Sequence, residues 1–281
     1  MTALPDFLII GAMKCGTTTL QAQLATQPGI FMTTPKEPNF FSDDDVFAQG
    51  MDWYGALFDG ASEGALKGEA STHYTKLPTH PETLLRMAPV LEAPKLIYMI
   101  RDPVARAVSH YMHEWSLGVM GHDPVAAFKA HPELVAYGSY GMQIAPFVAQ
   151  YGIENILLTS LEQIKTTPEA ELARIGDFLG AGTLVWQKDM EAQNVSSERF
   201  RRFRYQKLLI DNPVAEALRR NLVPKSLRRW VRKARTIKER PEIPESLRAE
   251  MQTAFLKDRV VLADNFPGHP ALDLSYPFAG K

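Results

Sequence analysis

The stretch FLIIGAMKCGTTTL, residues 7–20, sets Gly11 and Gly16 between an apolar run and a threonine-rich segment. Glycines spaced in this way let a strand turn sharply into a helix, so that backbone N–H groups and the helix N-terminus face an anion. A nucleoside-triphosphate loop carries a lysine and then Ser or Thr directly after its second glycine. Here Thr17 stands in the lysine's place, and the lysine, Lys14, lies inside the loop. A second departure follows the apolar run Lys95–Ile100, which ends in Arg101 where a magnesium-binding aspartate would be expected. Together they point to a pocket that grips a phosphorylated anion with side-chain cations and requires no metal. An ordinary strand-to-helix turn shows the same glycine spacing and is the plain alternative. The one cysteine, Cys15, sits in this loop. A helix N-terminus and Lys14 are expected to favour its thiolate, so that alkylation inactivates the protein; the alternative is a small buried filler.

These residues need elements to hold them. Apolar runs and turn signals predict strands at Asp6–Gly11, Lys95–Ile100 and Asn155–Ser160, and helices from about Thr17 to Thr26, from Pro103 through Trp115, at Ser139–Tyr151 and at Pro168–Leu179. Asp102 is placed to cap the second of these helices and Pro103 to open it. Buried strands alternating with helices imply an α/β fold, a three-layer parallel sheet flanked by helices. From residue 199 onward the pattern is helical and basic, broken by Pro213, Pro224, Pro241 and Pro244. No repeat or persuasive linker divides the chain, so the reading is one domain over 1–281, with a core at 6–190 and a helical lid and C-terminal region at 191–281.

Charge is unevenly distributed. Residues 1–198 carry 12 Lys and Arg against 23 Asp and Glu, whereas residues 199–240 carry 15 against 3, inside a chain of net charge −1. So basic a segment suggests an anionic partner, with a solvated helix face as the bland reading. Leu218, Leu222, Leu227, Trp230 and Val231 alternate there with Arg219, Arg220, Arg228, Arg229, Arg232 and Lys233, an amphipathic pattern that could lid a cleft or touch a membrane surface peripherally through 212–234. No apolar run is long enough to span a bilayer, and Phe7–Ile10 lacks the basic flank of a signal peptide. One cysteine excludes an internal disulfide and suits a reducing compartment, so the cytoplasm is the expected location.

The run KCGTTTL (14–20), with KEPNFF (36–41), GMDWY (50–54), GEASTHY (68–74) and IRDPVARAVSHY (100–111), resembles the sulfotransferases that use 3′-phosphoadenosine-5′-phosphosulfate (PAPS). The likeness is greatest to the branch of heparan-sulfate-type carbohydrate sulfotransferases and their bacterial relatives. It is clear over roughly residues 6–190 and loose beyond. The resemblance implies a P-loop NTPase-like fold, PAPS as donor and PAP, its desulfated form, as product. It implies that Lys14, the backbone of Cys15 and Gly16, and the hydroxyls of Thr17 and Thr18 hold the 5′-phosphosulfate, while Arg101 and Ser109 hold the 3′-phosphate. It makes Glu37 the general base, with His73 and His110 as reserves. His73 and Tyr74 are expected to line the acceptor entrance, and Glu69 to hold its loop against a basic group. KERPEIP (238–244) loosely resembles a closing loop and adds Lys238 and Arg240 to the donor site. Where many carbohydrate enzymes place a lysine after the Glu of the GEASTHY segment, this chain has Ala70.

The expected activity is therefore in-line transfer of a sulfuryl group from PAPS to a hydroxyl or amine of a small-molecule, glycan or lipid acceptor. Lys14 would stabilise the leaving phosphate. A kinase or hydrolase of nucleoside triphosphates with a deviant loop is the alternative, and a polyanion-binding module resting on the basic segment is the third reading. Nucleic acid is not an expected partner, because aromatics are few in that segment.

Overall fold

The computed structural model describes residues 3–193 and 240–280, so most of the basic segment, 199–239, lies outside the described residues. Five strands, β1 (Phe7–Gly11), β2 (Ile30–Met32), β3 (Leu66–Ala70), β4 (Lys95–Ile100) and β5 (Ile156–Ser160), pair in parallel in the order β2-β3-β1-β4-β5. The described helices are α1 (Thr17–Ala25), α2 (Asp44–Phe47), α3 (Gly50–Ala56), α4 (Thr83–Met87), α5 (Pro103–Leu117), α6 (Pro124–Ala130), α7 (Glu133–Ala136), α8 (Tyr140–Tyr151), α9 (Leu161–Thr166), α10 (Pro168–Leu179), α11 (Glu245–Asn265) and α12 (Pro270–Leu274). The parallel α/β architecture expected from the alternation of elements is present.

β1, β4 and β5 coincide with the three expected strands to within a residue. β2 and β3 have no counterpart in the sequence reading, because β2 is three residues long and β3, LKGEA, has no apolar run. Packing makes β3 a strand. A Cβ on Gly68 would lie 2.2 Å from Cζ of Phe7, so only glycine lets β3 pair so closely beside β1. Glu69 is buried because its carboxylate finds hydroxyl donors. Burial on both faces, as in β1, whose five residues are all buried, is what a sheet covered by helices demands.

Sequence signals fix the helices nearest the site. Asp102 accepts from the N–H groups of Val104 and Ala105 at 2.9 and 3.1 Å, Pro103 occupies the first turn, and Gly118 ends α5 in the left-handed conformation. α8 is capped from a distance. The carboxylate of Asp258, on α11, accepts from the N–H groups of Gly141 and Met142, both at 2.8 Å. That ties α11 to the helix bearing Tyr140.

Candidate active site

The loop after β1 turns the strand sharply into α1. Gly16, at φ 95°, starts α1 in a conformation that favours glycine, and a Cβ there would lie 2.8 Å from Leu161 Cδ1. No side chain caps α1 and no acidic residue occupies its first turn, so its N-terminal dipole end carries no built-in anion. Lys14 also sits at positive φ, 67°. Non-glycine residues are held there only when surrounding contacts dictate it. Two such contacts are visible. Arg101 Nη1 donates to the Lys14 carbonyl at 3.2 Å, and Ala12 N–H donates to the Met99 carbonyl at 2.7 Å. β1 and β4 are neighbours, so both the loop and Arg101 lie at the carboxyl edge of the sheet, where open parallel sheets take ligands. Arg101 Nε is buried with no hydrogen-bond partner among the described residues, an orphaned donor beside the cradle.

Cys15 corrects the thiolate expectation. It is fully buried, 3.4 Å from the Tyr140 hydroxyl, which itself donates to the Arg101 carbonyl at 3.0 Å. Burial pushes the thiol up to about 11, outweighing Tyr140, Arg106 and Arg101, which favour the thiolate. The thiol is thus part of the loop's packing. Its N–H is also used internally, donating to the Ala12 carbonyl at 3.2 Å.

A second loop, KEPNFF, faces the same edge. Its aromatic pair anchors it: Phe40 stacks on Tyr54 at 4.4 Å, Phe41 meets Tyr54 edge-on at 5.1 Å, and Tyr54 meets Phe58 edge-on at 5.5 Å. This cluster draws the KEPNFF, GMDWY and GEASTHY segments together. Above it the backbone at Glu37 and Asn39 takes positive φ, 58° and 57°, held by Glu37 N–H donating to the Ala70 carbonyl at 2.9 Å and Asn39 N–H donating to Ser71 Oγ at 3.0 Å. The Glu37 carboxylate accepts from Lys36 Nζ at 2.7 Å and from Thr72 Oγ1 at 3.1 Å. Burial alone would raise its pKa, but the Lys36 charge, the two hydrogen bonds and the more distant Lys76 outweigh it, and the carboxyl is held below its ordinary value.

Glu69 is fully buried beneath this loop, and its partners are hydroxyls, not the basic group expected. Tyr74 at 2.7 Å, Ser71 at 2.6 Å and Tyr54 all donate to it. Burial raises its pKa. Tyr74, expected at the acceptor entrance, is instead buried with its hydroxyl committed to Glu69.

The other expected residues are distributed as follows. Thr17 is buried and Thr18 exposed on the first turn of α1. Ser109 is half-buried, two turns into α5. His73 is half-buried and stacks on His80 at 4.7 Å; burial and then Lys76 lower its pKa to about 4. His110 is buried, and burial, then Arg106 and Lys76, lower its pKa to about 3. Arg240 is exposed, while Lys238 and the amphipathic 212–234 stretch lie outside the described residues. Three residues of the region escape the sequence reading: Tyr140, which joins Cys15 of the loop to Arg101 just past β4; Arg106, fully buried with one nitrogen donating to the Leu134 carbonyl; and Lys76, a buried lysine two residues beyond the GEASTHY segment. None stands in a spacing that marks it.

A glycine-bearing loop after the central strand of a parallel sheet, with a cation on the loop and another just past the neighbouring strand, is the arrangement of an α/β protein with its site at the carboxyl edge of the sheet. The model described as sulfotransferase domain matches residues 4–256, and the chain belongs to that family. It is 27% identical over 194 residues to heparan sulfate glucosamine 3-O-sulfotransferase 3A1 of Mus musculus, covering 66% of this chain and 48% of that one. It is 29% identical over 196 residues to heparan sulfate glucosamine 3-O-sulfotransferase 6 of Homo sapiens, covering 66% and 54%. The chain thus spans about half the length of the curated relatives it matches. A sulfotransferase from Alicyclobacillus acidocaldarius shares the fold with a TM-score of 0.60 and 24% identity, covering 93% of this chain and 95% of that one. Among the described residues no helix is long and apolar enough to cross a membrane, and no three His, Cys, Asp or Glu side chains converge as a metal site would require.

Proposed function

We propose that the protein transfers a sulfuryl group from PAPS to a hydroxyl or amine of a glycan, small-molecule or lipid acceptor. The observation that carries this is the pair of cations set about the glycine cradle. Lys14 is in the loop, and Arg101 holds the loop's carbonyl while leaving a buried N–H unmatched. A donor with a phosphosulfate and a separate 3′-phosphate suits such a pair. In this reading the Gly16 backbone, Thr17 and Thr18 hold the phosphosulfate, the Cys15 N–H being committed to the Ala12 carbonyl, and Lys14 places its charge on the bridging oxygen as the S–O bond breaks and the charge passes to phosphate. Arg101 and Ser109 hold the 3′-phosphate, with Arg240 and Lys238 as further contacts. The acceptor oxygen attacks sulfur from the opposite side and its proton passes to Glu37, which its depressed pKa keeps ionised at neutral pH.

Asp102, two residues past β4, gives its carboxylate to the cap of α5 and so has a structural task, which suits a donor bound by cations without a metal. We place the protein in the cytoplasm, supported by a lone cysteine that is buried and unpaired, and read residues 1–281 as one domain. The test is calorimetric titration with PAP in chelator, followed by a screen of hydroxyl acceptors for PAPS-dependent sulfation. Metal-free PAP binding and product formation are expected. If PAP fails to bind while magnesium-ATP does, the reading is wrong.

A further inference from the structure

Lys76 follows the turn Thr72–Thr75 and is only 7% exposed, yet its Nζ has no hydrogen bond or ion pair among the described residues. Its nearest defined partner is the ring of Tyr137, with Nζ 5.7 Å from the centroid, and that ring also stacks on His110 at 5.6 Å. Tyr137 is fixed in turn by a 2.5 Å hydrogen bond between its hydroxyl and Thr79. The charges acting on Lys76 are Glu37, Glu114, Arg106 and Lys36. Neither carboxylate pairs with it directly: Glu37 is taken by Lys36 at 2.7 Å, and Glu114 acts on it only through space. Burial, opposed by Glu37 and Glu114, brings the Lys76 pKa down to about 8, so the amine is still mostly charged at neutral pH.

Two further unmatched groups belong to the same neighbourhood. Nδ1 of His73 and Nδ1 of His110 are buried without a partner, and Lys76 is among the charges that depress both imidazoles. Each ring is therefore neutral at pH 7 and carries one N–H to donate. Buried ring nitrogens left without partners are costly unless a ligand or water completes them, and the Lys76 ammonium, which is not fully enclosed, is open to a ligand beside them. A neutral ligand could satisfy the rings, but only an oxyanion also pairs with the ammonium, which Glu37 and Glu114 offset only from a distance. The same lysine acts electrostatically on Glu37, which puts the vacant positive charge on the acceptor side of the site.

We propose that Lys76, with the neutral imidazoles of His73 and His110, forms an oxyanion subsite beside Glu37 that takes a carboxylate or sulfate group carried by the acceptor. The proposal rests on the reading of Glu37 as the group that receives the acceptor's proton. It makes Lys76 a specificity-determining residue: acceptors bearing an anionic group close to the nucleophilic hydroxyl are preferred over neutral ones.

The test is trace acetylation of the native full chain with acetic anhydride, read at Lys76 by peptide mass spectrometry, with PAPS saturating the donor pocket and methyl sulfate or acetate as probe. Against chloride at equal ionic strength, either probe is expected to slow acetylation of Lys76 by about tenfold when saturating, because an amine paired with an anion is both covered and held protonated. Calorimetry with methyl sulfate on the PAPS-loaded protein should show binding to wild type and Lys76→Arg and none to Lys76→Met, with PAP affinity alike in all three. Unchanged acetylation in both probes, or a Lys76 that does not react in the native protein, overturns the subsite. So does a Lys76→Met variant that loses affinity for PAPS but not for PAP, since the lysine would then serve the donor's sulfuryl group. Failure of wild type to bind PAP refutes the donor reading alone, and the acetylation experiment without nucleotide then decides the subsite by itself.

Discussion

Replacing Arg101 with alanine should weaken PAP binding far more than it weakens the fold. Arg101 makes one described hydrogen bond, from Nη1 to the Lys14 carbonyl at 3.2 Å, and its buried Nε has no partner. A phosphate bound there gains charge-assisted hydrogen bonds, together worth about 2 kcal/mol net. Losing the bond to Lys14 releases a loop held at positive φ and costs about 1 kcal/mol more in ordering on binding. The sum, about 3 kcal/mol, is a roughly 150-fold rise in Kd at 1.4 kcal/mol per factor of ten. Arg101→Lys keeps the charge but loses the fork that reaches carbonyl and anion together, so its Kd should rise by about tenfold. Calorimetric titration with PAP in chelator measures both, and thermal melts should show a loss of only about 2–4 °C, as one peripheral hydrogen bond implies. If the alanine variant binds PAP within about threefold of wild type, Arg101 is a strut of the loop and the placement of the 3′-phosphate is refuted.

Glu37→Gln should lower kcat of sulfuryl transfer by about 10²–10⁴-fold and leave PAP affinity unchanged, measured on whichever acceptor the screen identifies. Lys36→Met leaves the effect of burial on Glu37 less opposed, so the acid limb of kcat/KM, where the base must be ionised, should move to higher pH; an unmoved limb would separate Glu37 from the observed titration. Cys15 should resist thiol reagents in the native protein and react only at the rate at which the loop or fold opens, followed by mass spectrometry; rapid stoichiometric alkylation would contradict its burial. His110 titrates at about 3 in the fold against 6.5 in an unfolded chain, so between these values the unfolded state binds the extra proton. The stability it contributes above pH 6.5 is lost as pH falls, by up to about 1.4 kcal/mol per pH unit, and urea melts of His110→Asn should show a shallower decline.

The parts legible in the sequence share a physical basis in local patterning. Continuous apolar runs marked β1, β4 and β5, because strands covered on both faces need apolar residues throughout. Asp102–Pro103 marked the start of α5, because capping and a fixed φ act within one turn. Gly11 and Gly16 marked the turn from β1 into α1, and Arg101 the end of β4. β3 left no such mark: LKGEA becomes a buried strand only because Gly68 fits against Phe7 and Glu69 meets three hydroxyls brought from 54, 71 and 74. Cys15 shows the limit in the other direction, since its neighbours in sequence favour a thiolate and its neighbours in space remove it from water. Motifs in their order therefore determined the family and the cradle. Tertiary packing decided which groups are charged, which are orphaned and which are turned inward, as with Glu37 paired to Lys36, Nδ1 of His110 left without a partner and Tyr74 committed to Glu69. Those properties depend on burial and on contacts between residues distant in the chain, and no local pattern encodes them.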